Sequence, residues 1–363
     1  MKKKLLGKII LVLLVLATCI AAIASPLIGR REALYYSKID DKTVQCELCP
    51  RRCLLREGAR GACRVRQVRG GKLYTLVYGN PCAFHIDPIE KKPVYHMLPA
   101  STSFSIATAG CNLRCKFCQN WTISQRPPEE THNVEMMPHQ VVELAVRNDC
   151  SSIAYTYSEP IIFYEYMLDT AKLAKEKGLK NVMVTAGYIN EEPLRELCKY
   201  IDAANVDLKG FDKKYLRKVC GQELEPLLEA LKIFKEEGVW LEITNLIVPT
   251  LNDDMETIKK MCIWIKDNLG EETPLHFSRF TPMYQLKNLY HTPVATLEKA
   301  KQTAEEAGLK YVYIGNVPAH SASNTYCPDC EALLIERIGY TIAHNNILEG
   351  KCKFCARTIP GIW

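Results

Sequence analysis

Three cysteines are spaced closely enough to bind one metal centre. Cys111, Cys115 and Cys118 form a C-x3-C-x2-C pattern directly after an apolar run, Phe104 to Thr108, that predicts a strand. Three thiolates so close in sequence can bind one face of an iron–sulfur cluster, whereas structural zinc takes four protein ligands. A four-iron cluster held by three cysteines keeps one iron open to a substrate or cofactor. The alternative is a zinc site completed by a distant His or Cys.

Two further cysteine sets flank this triad. The first contains Cys46, Cys49, Cys53 and Cys63, with Gly58 and Gly61 allowing tight turns. Its four thiols favour zinc, and a second iron–sulfur cluster or free redox thiols are the alternatives. The second set contains Cys327, Cys330, Cys352 and Cys355, close to the spacing of zinc ribbons. We expect structural zinc there, with a rubredoxin-like iron as the main alternative.

Composition and charge exclude several classes of protein. The chain has 363 residues, 47% of them hydrophobic, which excludes a disordered tail or a disulfide-stapled mini-protein. Its 17 cysteines are an odd number with C-x2-C spacings, which favours metal binding in a reducing compartment over disulfides. The 47 basic and 41 acidic residues balance once the basic N-terminus is set aside, so bulk charge does not support nucleic-acid binding.

The N-terminus carries an apolar segment. Twenty residues without a charge, Ile9 to Ile28, follow four lysines, and such a helix is long enough to span a membrane. We expect residues 1–31 to be a single membrane anchor with the catalytic body on the cytoplasmic side, because thiolate–metal chemistry is oxygen-labile. The alternatives are a signal cleaved after Ala22-Ile23-Ala24, with export of the body, and a lipoprotein acylated at Cys19.

Strand-like and helical patterns alternate through the middle of the chain. Helical spacing covers Pro160 to Lys177, Glu223 to Glu237, Asp253 to Leu269 and Thr296 to Ala307. Alternation of this kind predicts βαβ units and an α/β fold. We therefore expect a partial or full (β/α) barrel over 101–320, a four-cysteine module with lead-in strands over 34–100, and a zinc-ribbon-like module over 325–363. The predicted barrel strands are Phe104–Thr108, Ser152–Tyr157, Asn181–Thr185, Ala204–Leu208, Leu241–Val248, Leu275–Arg279 and Tyr311–Ile314.

At the central triad the chain resembles the radical S-adenosylmethionine (SAM) superfamily, whose signature is C-x3-C-x2-C with an aromatic residue, here Phe117, before the last Cys. The resemblance implies a [4Fe-4S] cluster on Cys111, Cys115 and Cys118, with SAM bound to the fourth iron. It also implies that one electron cleaves SAM and releases a 5′-deoxyadenosyl radical. The cofactor supplies the difficult chemistry and the protein positions it.

The same resemblance suggests which other residues contact SAM, with Phe117 of the signature among them. Tyr157-Ser158-Glu159-Pro160 lies where the superfamily carries a Gly-Gly-Glu-type motif for the methionine amine, and Glu159 is a better candidate than Ser158. Asp207-Leu208-Lys209 resembles the Asp-Leu-Lys of glycyl-radical-enzyme activases, in which Asp and a Thr, here Thr185, help to hold the carboxylate end of SAM. The alternative for Asp207 and Lys209 is a surface ion pair. His276, after an alternating run, is either a functional or a buried structural histidine.

Three further runs resemble the radical enzyme of the AmmeMemoRadiSam system, which is related to pyruvate formate-lyase activating enzymes. They are Asp87 to Pro93, Cys118 to Trp121 and Gly361 to Trp363. The resemblance implies Memo-like and AMMECR-like partners and an electron donor such as a flavodoxin or ferredoxin, but it implies no substrate. The alternative enzyme is a glycyl-radical-enzyme activase. An alternative of another class is a membrane-anchored iron–sulfur electron-transfer protein.

Overall fold

The computed structural model describes residues 29–363, and the predicted membrane segment lies almost entirely outside them. Within the described part of the chain, no helix is long and apolar enough to cross a membrane. The fold is mixed α/β, with one large, mostly parallel sheet and smaller antiparallel sheets before and after it along the chain.

The large sheet has eight strands in the order β14-β13-β12-β11-β10-β9-β8-β7. Strands β8 to β14 are parallel to one another, and β7 pairs antiparallel with β8 at one edge. Since β7 and β14 are the two edges, the sheet is an open, partial barrel rather than a closed one. The strands are β7 (Ala83–Pro88), β8 (Thr102–Ala107), β9 (Ser152–Tyr155), β10 (Lys180–Thr185), β11 (Ala203–Asp207), β12 (Trp240–Ile247), β13 (Leu275–Arg279) and β14 (Val312–Gly315).

Helices connect successive parallel strands and cover the sheet. They are α1 (Trp121–Ser124), α2 (Pro138–Arg147), α3 (Tyr164–Glu176), α4 (Glu191–Cys198), α5 (Lys213–Tyr215), α6 (Leu224–Glu236), α7 (Met255–Leu269) and α8 (Val294–Glu306). A π-helix spans Leu216–Cys220, and 3-10 turns span Ile89–Lys91, Pro128–Glu130, Pro160–Phe163 and Ser321–Ser323.

The local sequence explains where these helices begin and end. Helix α7 begins after Asp254, whose carboxylate accepts the backbone N–H of Thr257 at 2.8 Å, and it ends at Gly270, whose φ of +99° favours glycine. The predicted helix Pro160 to Lys177 is a 3-10 turn followed by α3, because Pro160 and the cap at Glu159 shape its first turn. Each long helix buries its apolar side against the sheet.

The N-terminal four-cysteine set lies among short strands that precede the barrel. Two three-stranded antiparallel sheets, β2-β3-β4 and β1-β6-β5, make up this part of the chain. They comprise β1 (Arg31–Glu32), β2 (Tyr36–Lys38), β3 (Thr43–Cys46), β4 (Leu54–Arg56), β5 (Arg66–Arg69) and β6 (Lys72–Thr75). Their buried residues belong to the same apolar core as the barrel, so the module packs directly on it.

The C-terminal set lies among β15 (Thr325–Tyr326), β16 (Leu333–Ile338), β17 (Thr341–Asn345), β18 (Ile347–Leu348) and β19 (Lys351–Cys352). The last residues return to the start of the barrel, where Leu98 N–H donates to the Ile362 carbonyl at 2.7 Å and Ile362 N–H donates to the His96 carbonyl at 2.8 Å. The C-terminal module therefore supports the amino-terminal end of the barrel.

Candidate active site

The central triad lies in the loop that leaves the carboxyl end of β8. Functional residues of parallel barrels are typically carried on such loops. Cys115 is buried, whereas Cys111 and Cys118 are partly exposed. The loop is fixed by its neighbours: Cys111 Sγ accepts the Leu113 N–H at 3.3 Å, and Cys118 Sγ lies 3.2 Å from Ser124 Oγ. Phe117, between the last two cysteines, is 6% exposed and packs in the main core.

The donor set of this loop fits a cluster better than a mononuclear zinc. Tetrahedral zinc with bonds of about 2.3 Å holds its sulfurs about 3.8 Å apart. Among the described residues, only the C-terminal cysteines bring three or more candidate ligand atoms within 4.8 Å of one another. The thiols of Cys111, Cys115 and Cys118 therefore do not all lie within 4.8 Å of one another, as the ligands of a single zinc ion do in the C-terminal set. An iron–sulfur cluster separates its thiolates more widely, because iron and sulfide atoms lie between them.

Glu159 is the most firmly held of the predicted SAM contacts. Its Oε1 accepts the Thr185 hydroxyl at 2.5 Å, and its Oε2 accepts the Ala186 N–H at 2.8 Å. The residue is 4% exposed, and burial raises the pKa of its carboxyl despite these hydrogen bonds. Thr185 ends β10 and also accepts the Gly187 N–H at 3.0 Å. The structure thus brings Glu159 and Thr185 together as one acceptor group.

Asp207 and Lys209 lie at the end of the adjacent strand, β11. Lys209 Nζ donates to Asp207 Oδ2 at 2.6 Å, and the Lys209 side chain is only 13% exposed. Burial opposes the lysine charge, but Asp207 and the nearby Cys115 raise the pKa of Lys209 above its ordinary value. This pair is therefore oriented toward the triad and is not a pair on the open surface.

Ser158 makes a hydrogen bond that links two loops of the site. Its hydroxyl donates to the Thr108 carbonyl at 2.8 Å, which ties the loop after β9 to the end of β8. Tyr157, just before it, has a φ of +60° and donates its hydroxyl to Asp87. Asn120, from the run after the triad, donates to the Tyr157 carbonyl at 2.7 Å. These contacts fix the segment directly before Glu159.

Sequence reasoning missed several neighbours of the triad. Cys220, at the end of the π-helix, is buried against Cys115, and its hydrogen bond lowers the pKa of Cys115. Asn112, Ser124 and Asp87 also support the site. Asp87 and Asn120 lie in runs that carry the family resemblance, so a signal existed for them. Cys220 had no local signal, because it stands far from Cys115 in sequence.

His276 is a structural residue. Its Nε2 donates to Glu242 Oε2 at 2.6 Å, and both side chains are buried. Glu242 also accepts the N–H groups of Tyr95 at 2.9 Å and His96 at 2.8 Å. His276 therefore belongs to a buried network that fixes the loop across the amino-terminal end of the barrel, away from the triad.

The C-terminal cysteines have the geometry of a mononuclear tetrahedral site. Cys327 Sγ lies 3.6 Å from Cys355 Sγ, and Cys330 Sγ lies 3.7 Å from Cys352 Sγ. These separations match the value of about 3.8 Å expected around tetrahedral zinc. All four ligand atoms lie within 4.8 Å of one another, so this set can bind one metal ion.

Comparison with known proteins gives a family match and several relatives. The pattern described as "Radical SAM superfamily" matches residues 105–262. An uncharacterized protein of Methanocaldococcus jannaschii is 50% identical over 331 residues, covering 91% of this chain and 98% of that protein. The pyruvate formate-lyase-activating enzyme of Clostridium pasteurianum is 29% identical over 160 residues, covering 44% of this chain and 67% of the enzyme. A radical SAM methyltransferase structure from Sphaerobacter thermophilus has a TM-score of 0.48 and 14% identity, covering 81% of this chain and 79% of that one.

The chain belongs to the radical SAM superfamily. It is an enzyme, and its family membership implies a [4Fe-4S] cluster and SAM as cofactors.

Proposed function

We propose that the enzyme cleaves SAM reductively at a cluster on Cys111, Cys115 and Cys118, and that the resulting radical abstracts hydrogen from a substrate in an AmmeMemoRadiSam-type system. The observation that supports this proposal most directly is that Glu159, Thr185, Asp207 and Lys209 meet around the cysteine loop at one end of the sheet. When bound, the cluster and SAM together supply the 5′-deoxyadenosyl radical.

The protein's own residues offer the groups that would hold the cofactor. Glu159, fixed by Thr185 and Ala186, offers a buried acceptor for the methionine amine. Asp207 and Lys209 offer an acceptor and a cation for its polar end. Because these groups are already hydrogen-bonded in place, little reorganisation is needed when SAM binds.

The runs that carry the AmmeMemoRadiSam resemblance are tied to this site. Asp87 accepts hydrogen bonds from Lys91 at 2.8 Å, from Lys92 at 2.5 Å and from the Tyr157 hydroxyl. Asn120 donates to the backbone of the same tyrosine. Two of the three runs therefore fix the loop that carries Glu159, which supports assignment to this branch. The proposal of Memo-like and AMMECR-like partners rests on the sequence resemblance alone.

The decisive experiment is anaerobic turnover of the reconstituted full chain with reductant and SAM, with 5′-deoxyadenosine as the readout. We expect product from the wild type and none from Cys115→Ala. Product formation that survives Cys115→Ala would overturn the assignment. A reducible cluster that forms no product, with or without candidate partners, would instead favour the electron-transfer alternative.

A glycyl-radical-enzyme activase is the second candidate. It is supported by the relatives named pyruvate formate-lyase-activating enzymes and by the Asp207-Leu208-Lys209 run at the site. Incubation with a co-expressed glycyl-radical enzyme and SAM distinguishes the activase from the first proposed function. A glycyl-radical EPR signal on the partner would favour the activase, and its absence alongside SAM cleavage would favour the first proposal. Either reaction needs a one-electron donor of the flavodoxin or ferredoxin class.

We further propose that residues 1–31 anchor the enzyme to the membrane with its body in the cytoplasm. The proposal rests on the uncharged run Ile9 to Ile28. Arginine at the centre of a membrane helix costs about 2.5 to 3.5 kcal/mol. Leu13→Arg with Leu16→Arg should therefore release the full chain from the membrane fraction. A wild-type chain that is soluble, or that lacks its first residues by mass spectrometry, would contradict the anchor.

A further inference from the structure

The N-terminal cysteines line one small cavity beneath the barrel's first loops. Its walls contain Cys46, Cys49, Cys53 and Cys63, together with apolar side chains and two arginines, Arg51 and Arg66. The apolar part of the wall consists of Leu48, Ile161 and Ile162. All four thiols thus face a common space that is shielded from solvent on several sides.

The spacing of these thiols differs from that of the C-terminal set. In the C-terminal module opposing sulfurs lie 3.6 and 3.7 Å apart, as zinc requires. In the N-terminal set no three ligand atoms lie within 4.8 Å of one another, judged over the described residues, and the same holds for the central triad. The N-terminal thiols, like those of the triad, therefore lack the compact arrangement that the C-terminal thiols adopt.

A buried arginine contacts one of these thiols, and a second arginine lines the same cavity. Arg66 is 1% exposed. Its Nη1 lies 3.5 Å from Cys46 Sγ, and its Nη2 pairs with Glu165. Arg51, between Cys49 and Cys53, donates Nη2 to the Gly221 carbonyl at 2.6 Å and Nε to the Asn112 carbonyl. The Arg66 cation stabilises the thiolate form of Cys46, the form that binds a metal centre, and hydrogen bonds to cluster sulfurs set the reduction potential.

The site also adjoins the central triad. Asn112, the residue after Cys111, lines the same cavity. A Cβ on Gly110, the residue before Cys111, would lie 2.5 Å from the Cys63 carbonyl oxygen, and Arg114 donates to the Ala62 carbonyl at 2.6 Å. Residues on both sides of Cys111 therefore contact the segment that carries the N-terminal thiols.

We propose that Cys46, Cys49, Cys53 and Cys63 bind a second iron–sulfur cluster, next to the central one, rather than zinc. This metal assignment does not depend on the proposed function. A second part of the proposal does rest on the proposed function. In it, the second cluster takes one electron from a reduced flavodoxin or ferredoxin and passes it to the central cluster. One donor molecule is therefore oxidised for each central cluster that is reduced.

The test is metal and sulfide analysis of the anaerobically purified full chain. We expect about eight irons, matching sulfide and about one zinc per chain if both clusters contain four irons. The variant Cys111→Ala/Cys115→Ala/Cys118→Ala should keep about half of the iron and show a reduced-cluster EPR signal that SAM does not change. Cys49→Ala/Cys53→Ala should keep a signal that responds to SAM. Cys82→Ala, outside all three sets, should match the wild type.

Two results would overturn the proposal. One is a wild-type chain with about four irons and about two zincs; this count decides the matter even if a variant fails to fold. The other is a central triple variant without iron or sulfide. Failure of SAM cleavage would not affect these metal counts, so the metal assignment and the proposed function are tested separately.

The electron-transfer role has its own test. Cys49→Ala/Cys53→Ala should slow SAM cleavage with reduced flavodoxin as the donor but not with dithionite. Equal slowing with both donors would overturn the electron-transfer role.

Discussion

The Glu159 carboxylate accepts the Thr185 hydroxyl at 2.5 Å and the adjoining Ala186 N–H at 2.8 Å, so the ends of two neighbouring strands share one buried acceptor. Because Oε1 and Oε2 are each bonded, the carboxylate cannot rotate freely. A cation that binds there meets a fixed group whose desolvation is only partly offset by its own donors.

Substitution of this acceptor should weaken SAM binding without removing the cluster. A hydrogen bond to a charged group contributes about 1.5 to 3 kcal/mol, so Glu159→Gln should raise the Kd for SAM roughly tenfold or more. Equilibrium binding under anaerobic conditions measures this, with iron content as the check on the cluster. Glu176→Gln, exposed on α3, is the matched control. An unchanged Kd in Glu159→Gln would remove Glu159 from the cofactor site.

The Lys209 charge should tune the reduction potential of the central cluster. Lys209 lies close enough to Cys115 to interact with its charge, and it pairs with Asp207. A cation beside a thiolate favours the more negative, reduced cluster. Lys209→Met should therefore make the potential more negative at unchanged iron content, whereas Lys209→Arg should keep it near the wild-type value. An EPR-monitored redox titration would count against this reading if all three proteins gave the same potential.

Much of the barrel could be predicted from sequence. All seven predicted barrel strands correspond to strands of the structure, because apolar runs of strand length alternate with amphipathic helices that end at glycines. The positions of Thr185 and Asp207 at the ends of β10 and β11 follow from the same pattern. Periodicity reports which residues are buried and at which strand end they lie.

The periodicity of apolar residues does not show which side chains contact one another in the fold. The contact between Cys115 and Cys220 joins a loop and a π-helix that no local pattern connects. Glu242 stands in a strand where an apolar residue would fit the pattern, and only the fold shows why a carboxylate is tolerated there. The identity of a four-cysteine site likewise depends on separations between thiols, which spacing along the chain leaves open.

Acid should destabilise the enzyme through the buried network at the amino-terminal end of the barrel. Burial lowers the pKa of His96 from 6.5 to about 4. Its Nδ1 donates to the Pro360 carbonyl at 2.7 Å, so the neutral ring accepts the Tyr313 hydroxyl at Nε2. The unfolded chain binds a proton at higher pH than the folded one, so stability falls as pH drops from 6.5 toward 4. A shift of this size corresponds to on the order of 3 kcal/mol.

Glu242 extends the same trend to lower pH. Burial opposes its charge, but hydrogen bonds from His276 and the Tyr95 N–H lower its pKa to about 2.

Thermal melting between pH 8 and 5 measures the His96 contribution, because Glu242 stays ionised over this range. His96→Gln should flatten the dependence on pH, while His344→Gln, an exposed histidine, should not. A wild-type melting temperature that is constant from pH 7 to 5 would contradict the assignment.

Loss of one C-terminal thiol should unfold the module that carries it. The four thiols have the separations of a zinc site, and small modules of this kind fold only with metal. Cys330→Ser should therefore lose about one zinc per chain and make residues 325–363 the first segment cut by protease. The barrel should also melt earlier, because Arg337 Nη2 donates to the Tyr95 carbonyl at 2.9 Å from this module. A protease-resistant Cys330→Ser, with Cys82→Ser as the control, would show that metal does not hold the module together.

A methyl group at Gly110 should separate the two cysteine-bearing segments that meet there. Gly110 has a φ of +94°, and a Cβ would lie 2.5 Å from the Cys63 carbonyl, a backbone atom that cannot move aside alone. Gly58 has a similar φ of +77° but no atom within 4 Å of its would-be Cβ. Both alanine variants incur backbone strain of about 1 to 3 kcal/mol, and only Gly110→Ala adds the clash. We therefore expect Gly110→Ala to melt earlier than Gly58→Ala and to retain less iron after anaerobic gel filtration. Equal melting temperatures and equal iron in the two variants would mean that close packing of these segments is not needed to keep the cluster.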